Sequence, residues 1–468
     1  MRTRAQSLSF VFAASLCAGA FGSAGCSSSP SNPNDVGNGS SSPTTRSGGS
    51  STPSGAPSTT SQAGSTQSTT SANNGSTPLS SDSSTSSTST ASSSGSSTSA
   101  GSSASCSFSD GATPTGNFLF PQSKHGSHCT YPATNASQIC TAYKNWYNGI
   151  TTTTGAGSGR RVYDASNDSS NTTSEGMGYG MLIAVYMGDK PAFDAFLTYV
   201  SAHLSNGLMG WHIDPNGNTL DPHSATDADQ DIAWALIMAD KQWGGGNYLS
   251  TAKSMLSQIK SSEISGNLPT EGDFSGATVK YPDYARPDYG ATFAAVSGDS
   301  SWSSVASAEY SQFQSQQNKS TGLVPDTNGG STVSSEGSRT PLHIGIDYCW
   351  HGTSSASSLL SPMVKTFVSL AGSSYPGNLA LSLTVSNGSA TTPTSPAGDI
   401  IGGPAAVAAM YDASNASFVT SSYKWLASFI TVATGAGIYG THGDYFGSSL
   451  AMQAFLVMDG DFIDYTSP

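Results

Sequence analysis

Ala225-Thr226-Asp227-Ala228-Asp229-Gln230-Asp231-Ile232-Ala233 runs on through Leu236, Ala239 and Trp243 to Gly244-Gly245-Gly246, and its spacing predicts a helix. Ile232, Leu236, Ala239 and Trp243 fall at i, i+4, i+7 and i+11, one face of a 3.6-residue period, and the glycines end it. Asp227 suits the N-cap, where a side-chain oxygen accepts from the free N–H groups of the first turn. One cap needs one acid, yet this helix start carries three. A surplus of mutually repelling carboxylates points to a site that binds hydroxyls, a metal or a developing positive charge.

Similar periods run from Ser174 to Tyr186, from Tyr248 to Ile259 with Ala252, Met255 and Leu256, and from Ser361 to Leu370. Others run from Ile400 to Tyr411, from Ser422 to Val432 and from Ser448 to Met458. Strand patterns are sparse, with Arg160 to Tyr163 and Ala380 to Val385 the better candidates. Many helices separated by Gly/Ser/Pro-rich loops, in a domain too large for a four-helix bundle, predict an all-α array or toroid. Periodicity does not choose between the two, and no fixed-period repeat is visible.

Of 468 residues, 36% are apolar and 10% charged, against about 45–50% and about 25% in an ordinary soluble domain. The shortfall is local. Residues 27–105 are almost wholly Ser, Thr, Gly, Asn and Pro, with Asp35, Arg46 and Asp82 as their only charges. They cannot bury enough apolar surface to offset their ordering entropy, so a disordered Ser/Thr-rich linker is expected over 26–105. The net charge of −13 therefore comes from the folded part, which disfavours nucleic acid and anionic membrane surfaces as partners. Met1 to Cys26 has Arg2 and Arg4, an apolar run from Leu8 to about Phe21, and small residues before Cys26. That is the layout of an export signal over 1–25. Its Ala-Gly-Cys ending resembles a bacterial lipoprotein processing site with Cys26 lipidated, so a surface lipoprotein or a secreted protein is expected. Any membrane attachment would then run through Cys26.

Cys106, Cys129, Cys140 and Cys349 remain in the exported part, and four thiols in an oxidising compartment predict two disulfides. Of three connectivities, Cys129 with Cys140 closes a short loop and leaves Cys106 for Cys349. No pair has metal-ligand spacing, so no metal site is expected, and His125 and His128 read as surface loop residues.

Two further acidic segments can carry chemistry. Ser174-Glu175-Gly176-Met177-Gly178-Tyr179-Gly180-Met181 sets one carboxylate among small and apolar residues, where burial raises its pKa as a general acid requires. Its glycines lack the preceding strand and the spacing of a phosphate-binding loop. Ser335-Glu336-Gly337-Ser338-Arg339-Thr340-Pro341, followed by His343 to Trp350, pairs Glu336 with an Arg that could hold a carboxylate ionised for general-base work. Aromatic residues stand near these acids: Trp211, then Tyr281, Tyr284 and Tyr289, then Tyr445 and Phe446. Flat faces beside carboxyls suit sugar rings.

These segments resemble glycoside hydrolase family 8. Ala225-Thr226-Asp227-Ala228-Asp229 with Ile232-Ala233, Ala239 and Trp243 is similar to its defining motif, and the Glu175 segment resembles its general-acid segment. Tyr281-Pro282-Asp283-Tyr284-Ala285-Arg286-Pro287 resembles its Pro-Ser-Tyr-Phe-x-Pro loop, and Tyr445-Phe446-Gly447-Ser448-Ser449-Leu450 its Tyr-Tyr-x-Asp-Ser-Leu helix start. The resemblance covers roughly residues 117–464. It implies an (α/α)6 barrel over 106–468 and inverting endo-hydrolysis of a β-1,4-linked glycan, a polysaccharide such as cellulose or mixed-linkage β-glucan. Glu175 would be the general acid and Asp227 the central acid at the cleavage subsite. Trp211, Asp229, Tyr284, Arg339 and Tyr445 would bind substrate. The family's usual base is an Asp three residues before the motif Arg; here that position is Glu336, with Asp347 the reserve. The alternatives are a chitosanase or xylanase of the same family, or an inactive glycan-binding lipoprotein. No cofactor is implied, since proton transfers and one water suffice, and a monomer is expected.

Overall fold

The computed structural model describes residues 106–164, 170–391, 398–430 and 445–466. The expected export signal, linker and lipidated Cys26 lie outside the described residues.

Among the described residues twelve α-helices alternate between two kinds of surface. α1 (Ala136–Ile150), α3 (Lys190–Ala202), α5 (Tyr248–Ser262), α7 (Ser301–Gln316), α9 (Ser354–Ala371) and α11 (Ala416–Ser428) each bury a single stripe. α2 (Ser174–Met187), α4 (Thr226–Trp243), α8 (Ser335–His351), α10 (Gly403–Ala409) and α12 (Tyr445–Asp459) are buried nearly all round. α6 (Gly290–Ser297) holds the remaining even-numbered place although it is shorter and buries only Gly290, Thr292 and Phe293. Helices apolar on every side belong inside and one-striped helices outside. α2 packs on α4 and α12, and α10 on α8 and α12, so the even-numbered helices form an inner ring and the odd-numbered ones an outer ring. The fold is the (α/α)6 barrel.

Chain direction decides which end of the barrel carries the long loops. α2, α4, α6 and α8 each end at a glycine, Gly188, Gly244, Gly298 and Gly352, with φ between 60° and 74°. Short turns follow, because a left-handed residue stops the helix within one position. Every connection from an outer to an inner helix is long, so the long loops gather at the N-termini of the inner helices. Two of them open with a hairpin, Leu204–Ser205 against Leu208–Met209 and Ile264–Ser265 against Leu268–Pro269. Their central residues, Asn206 and Gly207, then Gly266 and Asn267, all have positive φ, the requirement of a type I′ turn. A third loop returns through a small antiparallel sheet, in which Thr172–Thr173 pairs with His212–Ile213 and the latter with Thr219–Asp221.

The opposite end is plugged by rings. Trp234 of α4, Tyr289 and Trp350 of α8 stack mutually, Trp234 at 4.2 Å from Tyr289 and 5.1 Å from Trp350, with Tyr289 and Trp350 6.4 Å apart, and Trp350 stacks on Phe462. Their polar edges are satisfied by Trp234 Nε1 donating to Tyr186 Oη and Trp350 Nε1 to the Phe462 carbonyl.

Several expectations need correction. Ala225, not Asp227, is the N-cap of α4, and Asp227 lies inside the first turn. The Ser422 window belongs to a helix that starts earlier, because Phe418 and Val419 are also buried. The Ile400 window opens with a π turn over Gly398–Gly402 before α10 begins. The two strand candidates shrink to Arg161–Val162 and Leu383–Thr384.

The disulfides are Cys106–Cys140 and Cys129–Cys349, so the short-loop pairing is wrong. Phe108 packs edge-on to Tyr143 of α1, which lays Cys106 beside Cys140. Cys129 lies beside Thr130, whose N–H donates to the Met410 carbonyl, and a Cβ on nearby Gly126 would stand 3.1 Å from the Cys349 carbonyl oxygen. Loop-closure entropy grows only with the logarithm of loop length, so packing overrides it. Peptide mapping without reduction should recover these two cross-links. The double replacement Cys129→Ser/Cys349→Ser should lower unfolding free energy by about 2–5 kcal/mol in denaturant titration.

Candidate active site

Each acid of the site is delivered by the first turn of an inner helix or by the loop before one. Thr173 ends the small sheet and caps α2, its Oγ1 accepting from Gly176 N–H at 3.1 Å, which sets Glu175 in the first turn. Gly178 lets α2 approach α4, since a Cβ there would stand 3.1 Å from Cβ of Asp231. Asp326 holds the start of α8 from the preceding loop, accepting from the N–H groups of Ser334 at 2.6 Å and Gly337 at 2.7 Å. Glu336 and Arg339 are thereby fixed, and the helix continues through Pro341.

Arg339 is the hub. Its Nη1 lies 2.5 Å from Glu175 Oε2 and 2.5 Å from Asp227 Oδ2, and 3.2 Å from the Tyr179 hydroxyl. Its Nη2 donates to Glu336 Oε2 and lies 2.5 Å from Asp283 Oδ2. Four carboxyls thus share one guanidinium. Side-chain exposure grades them: Asp283 0%, Glu175 4%, Asp227 7% and Glu336 14%. Burial drives the Glu175 pKa well above its ordinary value; Arg339 opposes the rise, and Asp227 and Glu336 add to it. Asp283 is likewise raised well above normal and Glu336 is raised, each chiefly by burial against the pull of Arg339.

Aromatic side chains frame the cluster. The Tyr284 ring lies 5.5 Å from the Arg339 guanidinium, and Tyr281 packs against Tyr284. Tyr445 donates to Glu175. Trp211 sits between the starts of α2 and α4: its carbonyl accepts from Ser174 N–H, and its ring packs on Ala225 and Ala228. Glu175, Asp227, Glu336, Arg339, Tyr284, Tyr445 and Trp211 are therefore gathered at one place.

Two expected residues go elsewhere. Asp229 is fully buried and accepts from Met209 N–H at 3.1 Å, anchoring the hairpin loop to α4 rather than facing the cluster. Behind it lies Glu263, whose Oε1 accepts from Ser224 at 2.5 Å and whose pKa burial lifts to about 8. Asp347 lies two turns beyond Arg339 on α8, takes the Tyr310 hydroxyl at 2.5 Å, and lines an outer groove with Ala306, Ser307 and His351. It does not reach the cluster.

The three acids at the start of α4 are thus divided among three partners. Asp227 meets Arg339, Asp229 turns to the hairpin, and Asp231, one turn deeper than Asp227, meets Arg286. Arg286 also binds Asp288 through Nη2 at 2.8 Å and lies over the Tyr289 ring at 3.6 Å. His343, one turn after Arg339, faces the Ala285 carbonyl at 3.2 Å and is kept neutral by burial and by both arginines. Asp283, Tyr179 and the Arg286 network carried no separate signal in the sequence: Asp283 stands in a segment whose tyrosines attract the reading.

The sequence pattern described as glycosyl hydrolases family 8 is matched over residues 119–458. The chain belongs to that family. Endoglucanase 2 of Ruminiclostridium josui is 36% identical over 51% of this chain and 56% of its own length. Beta-glucanase of Niallia circulans is 29% identical over 72% of this chain and 88% of its own. The solved Beta-1,3-1,4-glucanase of Paenibacillus sp. X4 superposes with a TM-score of 0.66 at 27% identity, over 74% of this chain and 99% of that one. The chain spans about half the length of the curated endoglucanases at the head of these matches, at 56%, 51% and 55%. By the resemblance of its segments to the family's motifs, Glu336 takes a position where an Asp is usual, and Asp283 one where the loop motif has Ser.

Two outcomes follow from the buried charges. Arg339→Met leaves four buried carboxyls without their cation and should lower stability by about 3–5 kcal/mol, read by urea unfolding at pH 7. Glu309 of α7 is buried, accepts from Arg286 N–H, and has its pKa lifted by burial from 4.5 to about 8. The folded state then holds a proton that the unfolded state has released, so stability falls as pH rises from about 4.5 to about 8. Glu309→Gln should flatten that slope by about 1.4 kcal/mol per pH unit, measured as unfolding free energy against pH.

Proposed function

We propose that the protein is an endo-acting, inverting glycoside hydrolase that cleaves β-1,4 bonds in cellulose or mixed-linkage β-glucan. One observation carries the reading: Glu175 and Glu336 are held on opposite terminal nitrogens of a single guanidinium and differ in exposure. Glu175, whose pKa burial raises well above the ordinary carboxyl range, gives its proton to the departing glycosidic oxygen. Glu336, the more exposed, takes a proton from the water that attacks the anomeric carbon on the opposite face. The bond to the leaving oxygen breaks as the water oxygen bonds, and the configuration inverts. Inverting pairs stand about 6.5–9.5 Å apart to admit that water, and here the two carboxyls lie on different terminal nitrogens of Arg339. Solvent then returns a proton to Glu175 and removes one from Glu336.

Asp227, on the same nitrogen as Glu175, places negative charge beside the oxocarbenium-like centre. Tyr284, Tyr445 and Trp211 offer ring faces and hydroxyls to the sugars. The names of the similar proteins, Endoglucanase 2, Beta-glucanase and Beta-1,3-1,4-glucanase, favour a β-glucan over chitosan or xylan. Two disulfides fit an exported protein.

Residues 106–468 should hydrolyse barley β-glucan and carboxymethylcellulose, with xylan and chitosan cleaved far more slowly. Glu175→Gln and Glu336→Gln should each cut kcat by about 10²–10⁴. Proton NMR of the first product should show the α-anomer. A β-anomer would exclude inversion, cleavage confined to chitosan or xylan would change the substrate, and binding without cleavage would leave a glycan-binding protein.

A further inference from the structure

The mechanism above uses three of the four carboxyls on Arg339 and leaves Asp283. It is the most deeply buried of the four, and its Oδ2 lies at the same nitrogen as Glu336. The two contacts are unequal: Arg339 directs a hydrogen on Glu336, whereas Asp283 lies at the same nitrogen without an aligned side-chain donor among the described residues and has only its own backbone N–H beside it. A buried carboxylate without such bonds is costly, and a neutral carboxyl that supplies its own proton is not. Among the described residues Glu336, at the same Arg339 nitrogen, lies within hydrogen-bonding reach of it as an acceptor.

Charge counting leads the same way. Among the described residues one guanidinium faces Glu175, Asp227, Asp283 and Glu336, so full ionisation would leave three uncompensated negative charges in a buried site. The other groups around Asp283 do not change this. His343 of α8 is neutral, Tyr284 is raised by burial, and Arg286 is engaged by Asp231 and Asp288. Asp326, before α8, adds a further negative influence on Glu336.

We propose that Asp283 is a positioning residue for the general base: as a neutral acid it donates its proton to the Glu336 carboxylate and holds it, with Arg339, in the place from which it activates water. The inference rests on the reading of Glu336 as base. A donor to a carboxylate lowers that carboxylate's pKa, so Asp283 keeps Glu336 ionised in a site whose burial works against it.

The test is the pH dependence of kcat/KM on β-glucan for Asp283→Ala and Asp283→Asn. Alanine removes the donor. It should move the acid limb up by about one pH unit and cut kcat by about 10–10² through loss of placement, with KM within a few-fold of wild type. Asparagine keeps a donor and should hold the acid limb at the wild-type pH. If Asp283 were a carboxylate, removing its charge would move the limb down in both variants, and that result overturns the proposal. Infrared difference spectra of wild type minus Asp283→Asn at pH 7 give a readout that needs no turnover. A protonated carboxyl band should be lost, and loss of a carboxylate band instead would overturn the proposal. Should wild type cleave no glycan, the hydrolase reading fails, while the infrared difference still decides where the proton lies.

Discussion

One buried guanidinium with four carboxyls around it is the constraint to which the rest of this barrel answers. Arg339 is nearly inaccessible, and so are three of its partners. Taking such a group out of water is expensive, and the cost is recovered only where geometry and hydrogen bonding are close to complete. The elements that deliver these side chains are accordingly well anchored: Thr173 on α2, Asp326 on α8, and Asp229 tying the Leu208–Met209 strand to α4. The carboxyls also stand at the N-terminal ends of inner helices, where unpaired N–H groups favour negative charge. A barrel whose inner helices all point the same way concentrates that field at one end.

Beneath this layer the arrangement repeats with different chemistry. Arg286 takes Asp231 and Asp288 one turn deeper, and below it the stack of Tyr289, Trp234, Trp350 and Phe462 closes the barrel. Polarity thus falls along the barrel axis from a shared cation, through a closed ion network, to rings with satisfied edges. The gradient explains why Asp227 and Asp231, four residues apart on one helix face, do different things. Asp227 reaches the open end, whereas Asp231 is locked by Arg286 Nη1 and the Tyr289 hydroxyl at 3.0 Å.

Much of this was legible in the sequence where a periodic apolar face coincides with an unusual polar start, as in α2 and α4. Five helices, α1, α3, α6, α7 and α8, escaped reading. α7 hides its buried Trp302, Val305 and Phe313 in a serine-rich helix, and α8 is interrupted in pattern by Pro341. The glycines that end four inner helices are a regular signal, but only the Gly244 run stands out locally. Site residues were legible where a motif names them. Asp229 was not distinguishable from Asp227 by composition, because two positions on a helix turn the carboxyl to another face, and only the fold says which face looks at Arg339. The disulfide pairing failed for a related reason: sequence separation measures entropy, and packing of the Cys106 segment on α1 decided the partner.

The departures from the family's motifs gain meaning from their meeting point. On the proposed reading of Glu336 as base, a Glu in place of Asp lengthens that side chain by one methylene, about a bond length, and displacements near 1 Å in a catalytic group can cost a hundredfold. The residue that absorbs such a change must touch the carboxylate itself. Asp283, where the loop motif has Ser, shares the Arg339 nitrogen with Glu336 and extends its carboxyl toward it. Arg339 alone holds Glu336 from one side; a second contact from the Tyr281–Tyr289 segment fixes the longer, more flexible side chain from another. Both departures therefore act on one atom's position, which is the place where a change in length needs a change in support.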